Sequence, residues 1–470
     1  MRYQRTIRHI LAGTLICLAL VGLSATYWAL AGQDSLLLRE DNPRIIEAQR
    51  DVRRGGIFDK AGRPLAQTVQ GDTGLERRYP KASAYSIVGY YSLRFGVGGA
   101  ESAYDALLSG ARPIESLADY FKRKILNRPQ IGADIMLTLD VALQESVVSA
   151  LADAAGTAIV LDARNDTVLA LVSQPSFNPN TLDADWSRLV EAEGKPFFNR
   201  ALQGNYQIGA NVYLIWLAQA LESGFDLSWR FTDAADPVDL GDGMTAACLV
   251  NQAEAELTLG ESLAFGCPAA FASYRQIESA LAYHDLLLPY AFHDPLTLAG
   301  FPQREAIDLA ANVDGLSPAD LELRNALGQG NLTTTPLHLA TIIAAIANDG
   351  LAAEPALLSG LRQPASDPRR PRSHASASRR MMRAETAQGL QLVLRDAWSE
   401  LWAPPQDSPL IGAYIARSYS GDETQLWLNG YVKTDDDDAL AFVVLLEDTD
   451  DISQILSIGR ELIDIFTGEQ

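Results

Sequence analysis

Residues 135–172 decide the fold class, and they read IMLTLDVALQESVVSALADAAGTAIVLDARNDTVLALV. The alternating stretch Ile135–Leu139 predicts a strand that enters a helix near Asp140. Two apolar runs, Thr157–Leu161 and Val168–Val172, are separated by a short polar turn and predict a β-hairpin. This order of elements indicates a domain that mixes helices with antiparallel strands.

The C-terminal third of the chain adds strands and helices to the same domain. Thr335 followed by a proline predicts the N-cap and first residue of a helix. The apolar runs Trp427–Tyr431 and Leu440–Leu446 predict two more strands, and Asp451 caps a final amphipathic helix. Because the sheet draws strands from both ends of residues 131–470, with helices between, we predict one α+β domain.

Composition and charge exclude several classes of function. The chain has 470 residues, and 38 Lys and Arg against 59 Asp and Glu give a net charge of −21. Such an acidic balance disfavours a nucleic-acid partner, which requires a basic surface. The five histidines lack metalloenzyme spacing, so neither a metal nor a cofactor is predicted. Of the three cysteines, Cys248 and Cys267 could form a disulfide or remain two buried thiols.

The N-terminus predicts a membrane location. The run Ile10–Ala31 carries no charge, follows three arginines and precedes acidic residues. An apolar run of this length can span a bilayer, and the positive-inside rule then places the bulk of the chain outside the cytoplasm. A cleaved signal peptide is the competing interpretation, because Ala29–Ala31 is similar to a cleavage site. The run is longer than a usual signal core, which favours an uncleaved single-pass anchor in the cell membrane.

The expected organisation has five parts. We predict a cytoplasmic tail over residues 1–9, a transmembrane anchor over 10–31 and a polar stalk over 32–50. A β-rich N-terminal domain follows over 51–130, and the α+β domain occupies 131–470.

Several segments together resemble class B penicillin-binding proteins. Arg54–Ala66, RGGIFDKAGRPLA, is similar to the RGxIxDRNGxxLA segment that opens the pedestal, a dimerisation-like domain, of that family. The other similar segments occur in family order and are Gly96–Gly110, Leu137–Gln144, Val160–Asp162, Pro175–Asn180, Asn199–Tyr206 and Gly328–Leu337. Each match is weak alone, but their collinear order is specific. The resemblance implies a pedestal followed by a penicillin-binding transpeptidase-like domain.

The three motifs that carry chemistry in this family are altered here. Active members use SxxK, SxN and KTG, in which serine is the nucleophile and lysines move protons and supply positive potential. In the first motif, Ala210 occupies the serine position and Tyr213 the lysine position. In the second, Gly266 and Pro268 replace serine and asparagine.

The third motif keeps part of its chemistry. Arg417, Ser418 and Tyr419 lie over Lys, Thr and Gly of KTG, so a cation and a hydroxyl remain while a large ring replaces glycine. A shifted alignment does not account for the losses, because no lysine of this chain follows a serine or threonine at SxxK spacing.

The resemblance and the altered motifs leave three hypotheses. The first is a catalytically inactive scaffold or regulator of peptidoglycan assembly, paired with a polytopic glycosyltransferase of the shape, elongation, division and sporulation family. The second is an active serine D,D-transpeptidase with a rearranged site, which β-lactams would acylate. The third is a module that binds wall peptides through Arg417 and Ser418.

Overall fold

The computed structural model describes residues 2–30, 52–71, 74–110, 131–252, 255–278, 283–293, 298–302, 316–362, 378–401, 410–421, 423–433 and 439–468. The predicted stalk over 32–50 lies outside these residues. The α-helices are Arg2–Leu30, Tyr85–Val88, Ala100–Ala103, Asp105–Leu108, Val141–Leu151, Leu182–Val190, Arg200–Gln203, Val212–Ser223, Leu259–Ala264, Ala269–Ile277, Tyr283–Leu287, Pro318–Ala326, Pro336–Ala347, Ala384–Leu401 and Ile452–Thr467. Short 3₁₀ turns occupy Ala82–Ala84, Pro179–Thr181, Gly209–Asn211 and Leu288–Tyr290.

The N-terminal helix Arg2–Leu30 belongs to a compact unit separate from the main body. Across the described part of the chain, no helix combines the length and the apolar character that crossing a membrane requires. The anchor over residues 10–31 therefore stays a prediction.

The main body is built on a five-stranded antiparallel sheet, here called the central sheet. Its strands, in spatial order, are Leu410–Ser420, Glu423–Lys433, Ala439–Leu446, Gly156–Asp162 and Thr167–Gln174. The predicted hairpin is confirmed, since the last two strands pair across a tight turn. The predicted strands near Trp427 and Leu440 are confirmed as the second and third strands of the sheet. The strand Leu410–Ser420, here called the edge strand, carries the third motif.

Helices cover both faces of the central sheet, which makes two hydrophobic cores. Successive strand residues point to opposite faces, so Ile159 and Val160 belong to different cores. Helices Val141–Leu151 and Ile452–Thr467 pack on one face, while Pro336–Ala347 packs on the other. The prediction of a mixed α/β domain is confirmed.

Local capping signals locate the helix starts as predicted. The Thr335 side chain accepts a hydrogen bond from the His338 N–H at 3.1 Å, and proline occupies the first turn. The Asp451 carboxylate accepts the Ser453 N–H at 2.9 Å at the start of the C-terminal helix. Asp140 caps the helix that follows the first predicted strand. Each cap satisfies backbone donors that the helix itself leaves without partners.

A second sheet joins segments that are distant in sequence. Strand Asp134–Leu137 pairs in parallel with Ile57–Phe58 and antiparallel with Leu358–Arg362, and Ile57–Phe58 also pairs with Pro64–Gly71. We call it the pedestal sheet. The sheet therefore takes strands from both sides of the domain boundary predicted at residues 130 and 131. Gly74–Arg78, next to Pro64–Gly71, is the fifth strand of the pedestal sheet. Short strands elsewhere are Tyr90–Ser92, Gly96–Gly98, Tyr206–Gln207, Val238–Asp239, Thr245–Ala246, Thr333–Thr334, Leu351–Ala352 and Arg379–Arg380.

A buried ion cluster stabilises the pedestal region. The Glu101 carboxylate is fully buried and accepts hydrogen bonds from Arg54 Nε and Arg77 Nε, both at 2.7 Å. Arg54 Nη1 also donates to Asp105 Oδ1 at 2.5 Å, and Tyr79 OH lies 3.3 Å from the Glu101 carboxylate. Glu101 is thus the carboxylate that both buried cations share, with Asp105 as a second partner of Arg54, which makes Glu101 the critical member of the cluster.

A buried carboxyl group lies in the hairpin turn of the central sheet. Asp166 has a positive φ of 52° and no solvent exposure. One carboxyl oxygen accepts the Ala353 N–H, whereas Oδ1 has no hydrogen-bond partner among the described residues. Burial raises the pKa of Asp166 to about 8, and the neighbouring Asp162 adds to the rise.

This carboxyl makes stability depend on pH. Between about pH 4 and pH 8 the folded chain keeps a proton on Asp166 that the unfolded chain releases. The free energy of unfolding is therefore expected to fall as pH rises through this window, by on the order of a few kcal/mol. Asp166→Asn keeps the acceptor and tolerates the positive φ, so it should unfold at higher denaturant at pH 8 and match wild type near pH 4.

Denaturant unfolding from pH 4 to pH 8 measures this difference. The exposed Asp396→Asn variant serves as the control and should follow the wild-type pH profile. If the free energy of unfolding of Asp166→Asn depended on pH in the same way as that of the wild type, Asp166 would be ionised in the folded chain over the whole range from pH 4 to pH 8.

Candidate functional site

The first motif packs directly against the edge strand. Ala210 lies in the 3₁₀ turn Gly209–Asn211, at the start of the buried helix Val212–Ser223. Gly209 has a φ of +55°, and a Cβ built on it would lie 2.3 Å from the Arg417 carbonyl oxygen. Only glycine allows this close approach. The turn that carries Ala210 therefore lies beside the third motif, and it presents a methyl group where the family resemblance predicts the nucleophile.

Asn211, which the sequence did not single out, ties the first motif to the central sheet. Its Oδ1 accepts hydrogen bonds from Tyr414 OH at 3.0 Å and from Asn429 Nδ2 at 2.8 Å. All three side chains are buried. The sequence gives only a weak indication of this contact, namely that these polar residues occur within otherwise apolar segments. The turn that carries Ala210 is thus held rigidly.

The lysine position is filled by an aromatic stack. The Tyr213 ring stacks on Phe271 with ring centroids 4.3 Å apart and planes inclined by 12°. Burial raises the pKa of the Tyr213 phenol well above its ordinary value, and the nearby Tyr419 hydroxyl adds to the rise. A phenol in this environment stays protonated at neutral pH and cannot accept a proton from a nucleophile.

The second motif forms a turn that disfavours a side chain at its first position. Gly266 has a φ of +64°, and a Cβ there would lie 2.8 Å from Leu249 Cβ. Pro268 begins the helix Ala269–Ile277 as its N-cap. The backbone therefore disfavours a serine at position 266, whereas the conformation of Pro268, with φ −80° and ψ −29°, is one that other residues also adopt.

Cys267, between these two residues, forms a disulfide with Cys248 across 19 residues of sequence. The sequence left this pairing open, because a loop closure between two cysteines depends on the fold. The bond consumes both thiols, so Cys267 is not available as a substitute nucleophile.

The side chains of the third motif lie on both faces of the edge strand. Ser418 is fully buried; its Oγ accepts the Trp427 indole N–H at 2.9 Å and donates to Gln425 Oε1 at 3.2 Å. Arg417 and Tyr419 are half-buried on the other face, with Arg417 Nη1 3.5 Å from Tyr419 OH. Arg417 Nε has no hydrogen-bond partner among the described residues. The predicted ligand role therefore rests on Arg417, since the Ser418 hydroxyl faces protein groups.

The structure brings the three altered motifs together at one place. Gly209 touches the edge strand, Tyr213 stacks on the helix that follows Pro268, and Tyr419 lies close enough to Tyr213 to affect its pKa. The described motif positions bring together a methyl group, a buried phenol and an arginine. They offer no hydroxyl next to an amine base, the pairing that acyl transfer by serine requires.

The other family-like segments have structural partners. Arg200 Nε and Tyr206 OH each donate to the Glu447 carboxylate at 2.6 Å. Asn180 exchanges two hydrogen bonds with the Tyr79 backbone, which joins the pedestal region to the α+β domain. In the described part of the chain, no three His, Cys, Asp or Glu side chains are grouped so as to hold a metal ion.

Comparison with protein families gives two matches. Residues 156–400 match the model described as the penicillin binding protein transpeptidase domain, and residues 54–135 match the penicillin binding protein A dimerisation domain. The second range ends at the strand that pairs with Ile57–Phe58 in the pedestal sheet.

Individual relatives agree with these matches. The peptidoglycan D,D-transpeptidase PbpA of Mycolicibacterium smegmatis is 27% identical over 386 residues, which cover 76% of each chain. Its counterpart from Mycobacterium tuberculosis is 28% identical over 385 residues with the same coverage. The solved penicillin G acyl-enzyme complex of penicillin-binding protein A from M. tuberculosis has a TM-score of 0.72 at 23% identity, covering 89% of this chain and 100% of that one. The corresponding imipenem complex has a TM-score of 0.74 at 22% identity, covering 90% and 100%.

Proposed function

Since the chain belongs to the penicillin-binding protein transpeptidase family, we propose that it serves peptidoglycan assembly without forming an acyl-enzyme. One observation carries the proposal: a methyl group stands at the nucleophile position and a buried phenol at the base position. Loss of a nucleophile that acts together with its base typically costs on the order of 10⁶ in rate. We propose a role as a scaffold or regulator.

The residues around these positions support the proposal that the altered site is a well-packed structure and has not merely lost its nucleophile. Tyr213 fills the lysine position by stacking, and Gly266 adopts a backbone conformation that disfavours a serine there. The Cys248–Cys267 disulfide holds the same turn. A site that had merely lost its nucleophile would keep the space and the backbone for the missing groups.

Penicillin labelling tests this proposal. Intact-protein mass spectrometry of the full chain after incubation with penicillin G should show no adduct. The M. tuberculosis penicillin-binding protein A, known as a penicillin G acyl-enzyme, serves as the positive control. A stable adduct that maps to a serine of this chain would instead support the active enzyme with a rearranged site.

Arg417 favours wall-peptide binding as a second candidate function. Arg417 is half-buried on the edge strand, its backbone carbonyl packs against the turn that carries Ala210, and its guanidinium keeps the cation of the third motif. Such a group suits a carboxylate ligand. Calorimetry with a peptidoglycan stem peptide should then detect binding that Arg417→Ala removes, and binding unaffected by this change would exclude the candidate.

We further propose that the chain is a single-pass membrane protein whose bulk lies outside the cytoplasm, where it pairs with a polytopic peptidoglycan glycosyltransferase. The uncharged run Ile10–Ala31 and the pedestal segments Arg54–Ala66 and Gly96–Gly110 support this proposal. The family resemblance associates these segments with such partners.

A detergent pull-down with the full chain is expected to recover such a glycosyltransferase, and deletion of residues 51–130 should abolish recovery. The deletion also removes Ile57–Phe58, a partner strand of Asp134–Leu137, so a thermal melt must show that the variant is folded. Arg188→Glu, an exposed change in the α+β domain, is the control and should not affect recovery. Equal recovery by a folded deletion variant would show that the pedestal is not the contact.

A further inference from the structure

The Cys248–Cys267 disulfide joins two segments of the α+β domain that differ in their exposure to solvent. Cys248 is half-buried and follows the short strand Thr245–Ala246, whereas Cys267 is fully buried in the turn of the second motif. Thiol–disulfide exchange requires an attacking thiolate to reach one of the two sulfurs. Cys248 is therefore the accessible end of the bond.

The two segments are also packed closely beside the disulfide. The N–H groups of Leu249 and Val250 donate to the Phe265 carbonyl at 2.8 and 3.2 Å. A Cβ at Gly266 would lie 2.8 Å from Leu249 Cβ. Two thiols occupy more space than a disulfide, and a packed interior accommodates extra volume only by moving. Breaking the bond is therefore expected to loosen the contact between the two segments.

Cys267 is placed to leave as a thiolate when Cys248 is attacked. It lies directly before Pro268, the N-cap of the nine-residue helix Ala269–Ile277. The N-terminal end of a helix carries partial positive charge, which stabilises a nearby thiolate and offsets part of the cost of burying it. Exchange is faster when the departing sulfur is stabilised in this way, so attack at Cys248 with departure of Cys267 is the favoured direction.

We propose that Cys248–Cys267 is a redox-sensitive disulfide that a dithiol–disulfide oxidoreductase makes and breaks through Cys248. In the reducing direction, a thiolate of the reduced oxidoreductase attacks Cys248 Sγ, the bond to Cys267 Sγ breaks, and Cys267 leaves as a thiolate that takes up a proton. The second thiol of the oxidoreductase then displaces Cys248 as a thiol. The chain gains two electrons and two protons, and the oxidoreductase dithiol becomes a disulfide. Formation follows the same steps in reverse.

Reduction is expected to affect packing at the altered site. The helix Ala269–Ile277 begins next to the second-motif turn and carries Phe271, which stacks on Tyr213 with ring centroids 4.3 Å apart. A looser turn at Cys267 should therefore loosen this stack. The inference goes beyond the proposed function, because it holds whether or not the chain acylates.

Reduction of the folded full chain tests the proposal. A Cys17→Ser background removes the free cysteine of the N-terminal helix. The detergent-solubilised chain is treated with dithiothreitol, pulsed with iodoacetamide and mapped by mass spectrometry. We expect reduction while circular dichroism still shows a folded chain. Cys248 should be alkylated roughly tenfold or more faster than Cys267, because a buried thiol reacts only after local opening.

Single-cysteine variants in the same background show which sulfur carries the exchange. With glutathione disulfide as the probe, Cys267→Ala should form a mixed disulfide at Cys248, whereas Cys248→Ala should leave Cys267 unmodified over the same time. The two variants are matched controls, because each removes the same bond. Thermal melts establish that each is folded, and if either does not fold, the alkylation rates of the chain that keeps both cysteines decide the question.

Hydrogen exchange measures the consequence for the fold. The Leu249 and Val250 amides should exchange roughly tenfold or more faster after reduction, while that of Val443 in the central sheet should not change. A disulfide that resists dithiothreitol until the chain unfolds would overturn the proposal. Equal alkylation rates at the two cysteines, or unchanged exchange at Leu249 and Val250 in the reduced chain, would do the same.

Discussion

Ala210→Ser alone is expected to leave penicillin acylation undetectable, about 10⁶-fold below the rate of an active relative. The new hydroxyl keeps its proton at neutral pH unless a base removes it. The residue at the base position is Tyr213, and burial raises the pKa of its phenol well above the ordinary value. The measurement is a time course of acylation by fluorescent penicillin, followed on the full chain.

Stepwise repair is expected to show that the motifs act as one unit. Ala210→Ser combined with Tyr213→Lys restores a candidate base, but it also removes the stack on Phe271 and leaves Gly266 and Pro268 without polar side chains. It should remain at background. Only a variant with all three motifs rebuilt is expected to react measurably, because residues of a catalytic unit contribute non-additively.

Thermal melts of each repaired variant separate a misfolded site from an inactive one. Gly266→Ser needs this control most, since its Cβ would lie 2.8 Å from Leu249 Cβ at a φ of +64°. Measurable acylation by Ala210→Ser alone would show that the rest of the site is still organised for catalysis, and would contradict the prediction that the motifs must be repaired together.

Glu101→Leu is expected to lower the free energy of unfolding by about 3–5 kcal/mol. The change leaves Arg77 without a carboxylate partner while its side chain stays buried, and it removes one of the two carboxylates of Arg54. Water cannot replace these contacts where Arg54 and Arg77 are each only 5% exposed. Urea unfolding of the full chain, followed by circular dichroism, measures the loss.

The control for this prediction is the exposed ion pair of Glu76 and Arg78, which lie 3.1 Å apart. Glu76→Leu should cost no more than about 1 kcal/mol, because exposed pairs contribute little. Equal unfolding midpoints for the Glu101 and Glu76 variants would show that the pedestal cluster is not critical. A triple variant in which Arg54→Met and Arg77→Met accompany Glu101→Leu should recover part of the loss, since it leaves no buried cation.

The elements that depend on local signals were predictable. The hairpin of the central sheet follows from two apolar runs around a polar turn, and both strands were found where the pattern placed them. The helices that begin after Thr335 and Asp451 follow from their caps, because a capping side chain acts on backbone N–H groups two or three residues away. The alanine at position 210, where the family resemblance predicts the nucleophile, is likewise visible from residue identity alone.

Local sequence patterns did not predict which strands pair with one another in the pedestal sheet. The strand predicted at Ile135–Leu139, which the structure places at Asp134–Leu137, was expected to belong to the α+β domain, and its alternation predicts a strand in either setting. Its partners Ile57–Phe58 and Leu358–Arg362 are distant in the chain, and pairing over such distances is selected by the packing of the whole domain.

Family membership, the order of the main strands and helices, and the residues at the three motif positions follow from the amino-acid sequence, because each of these depends on residue identity and local spacing. The tertiary structure alone decided that Cys248 and Cys267 are joined, that Asn211 anchors the first motif, and that the Ser418 hydroxyl faces Trp427. Each of these contacts joins segments that approach one another only when the sheet and its helices pack. The contacts therefore depend on side-chain burial and direction, which no local sequence pattern specifies.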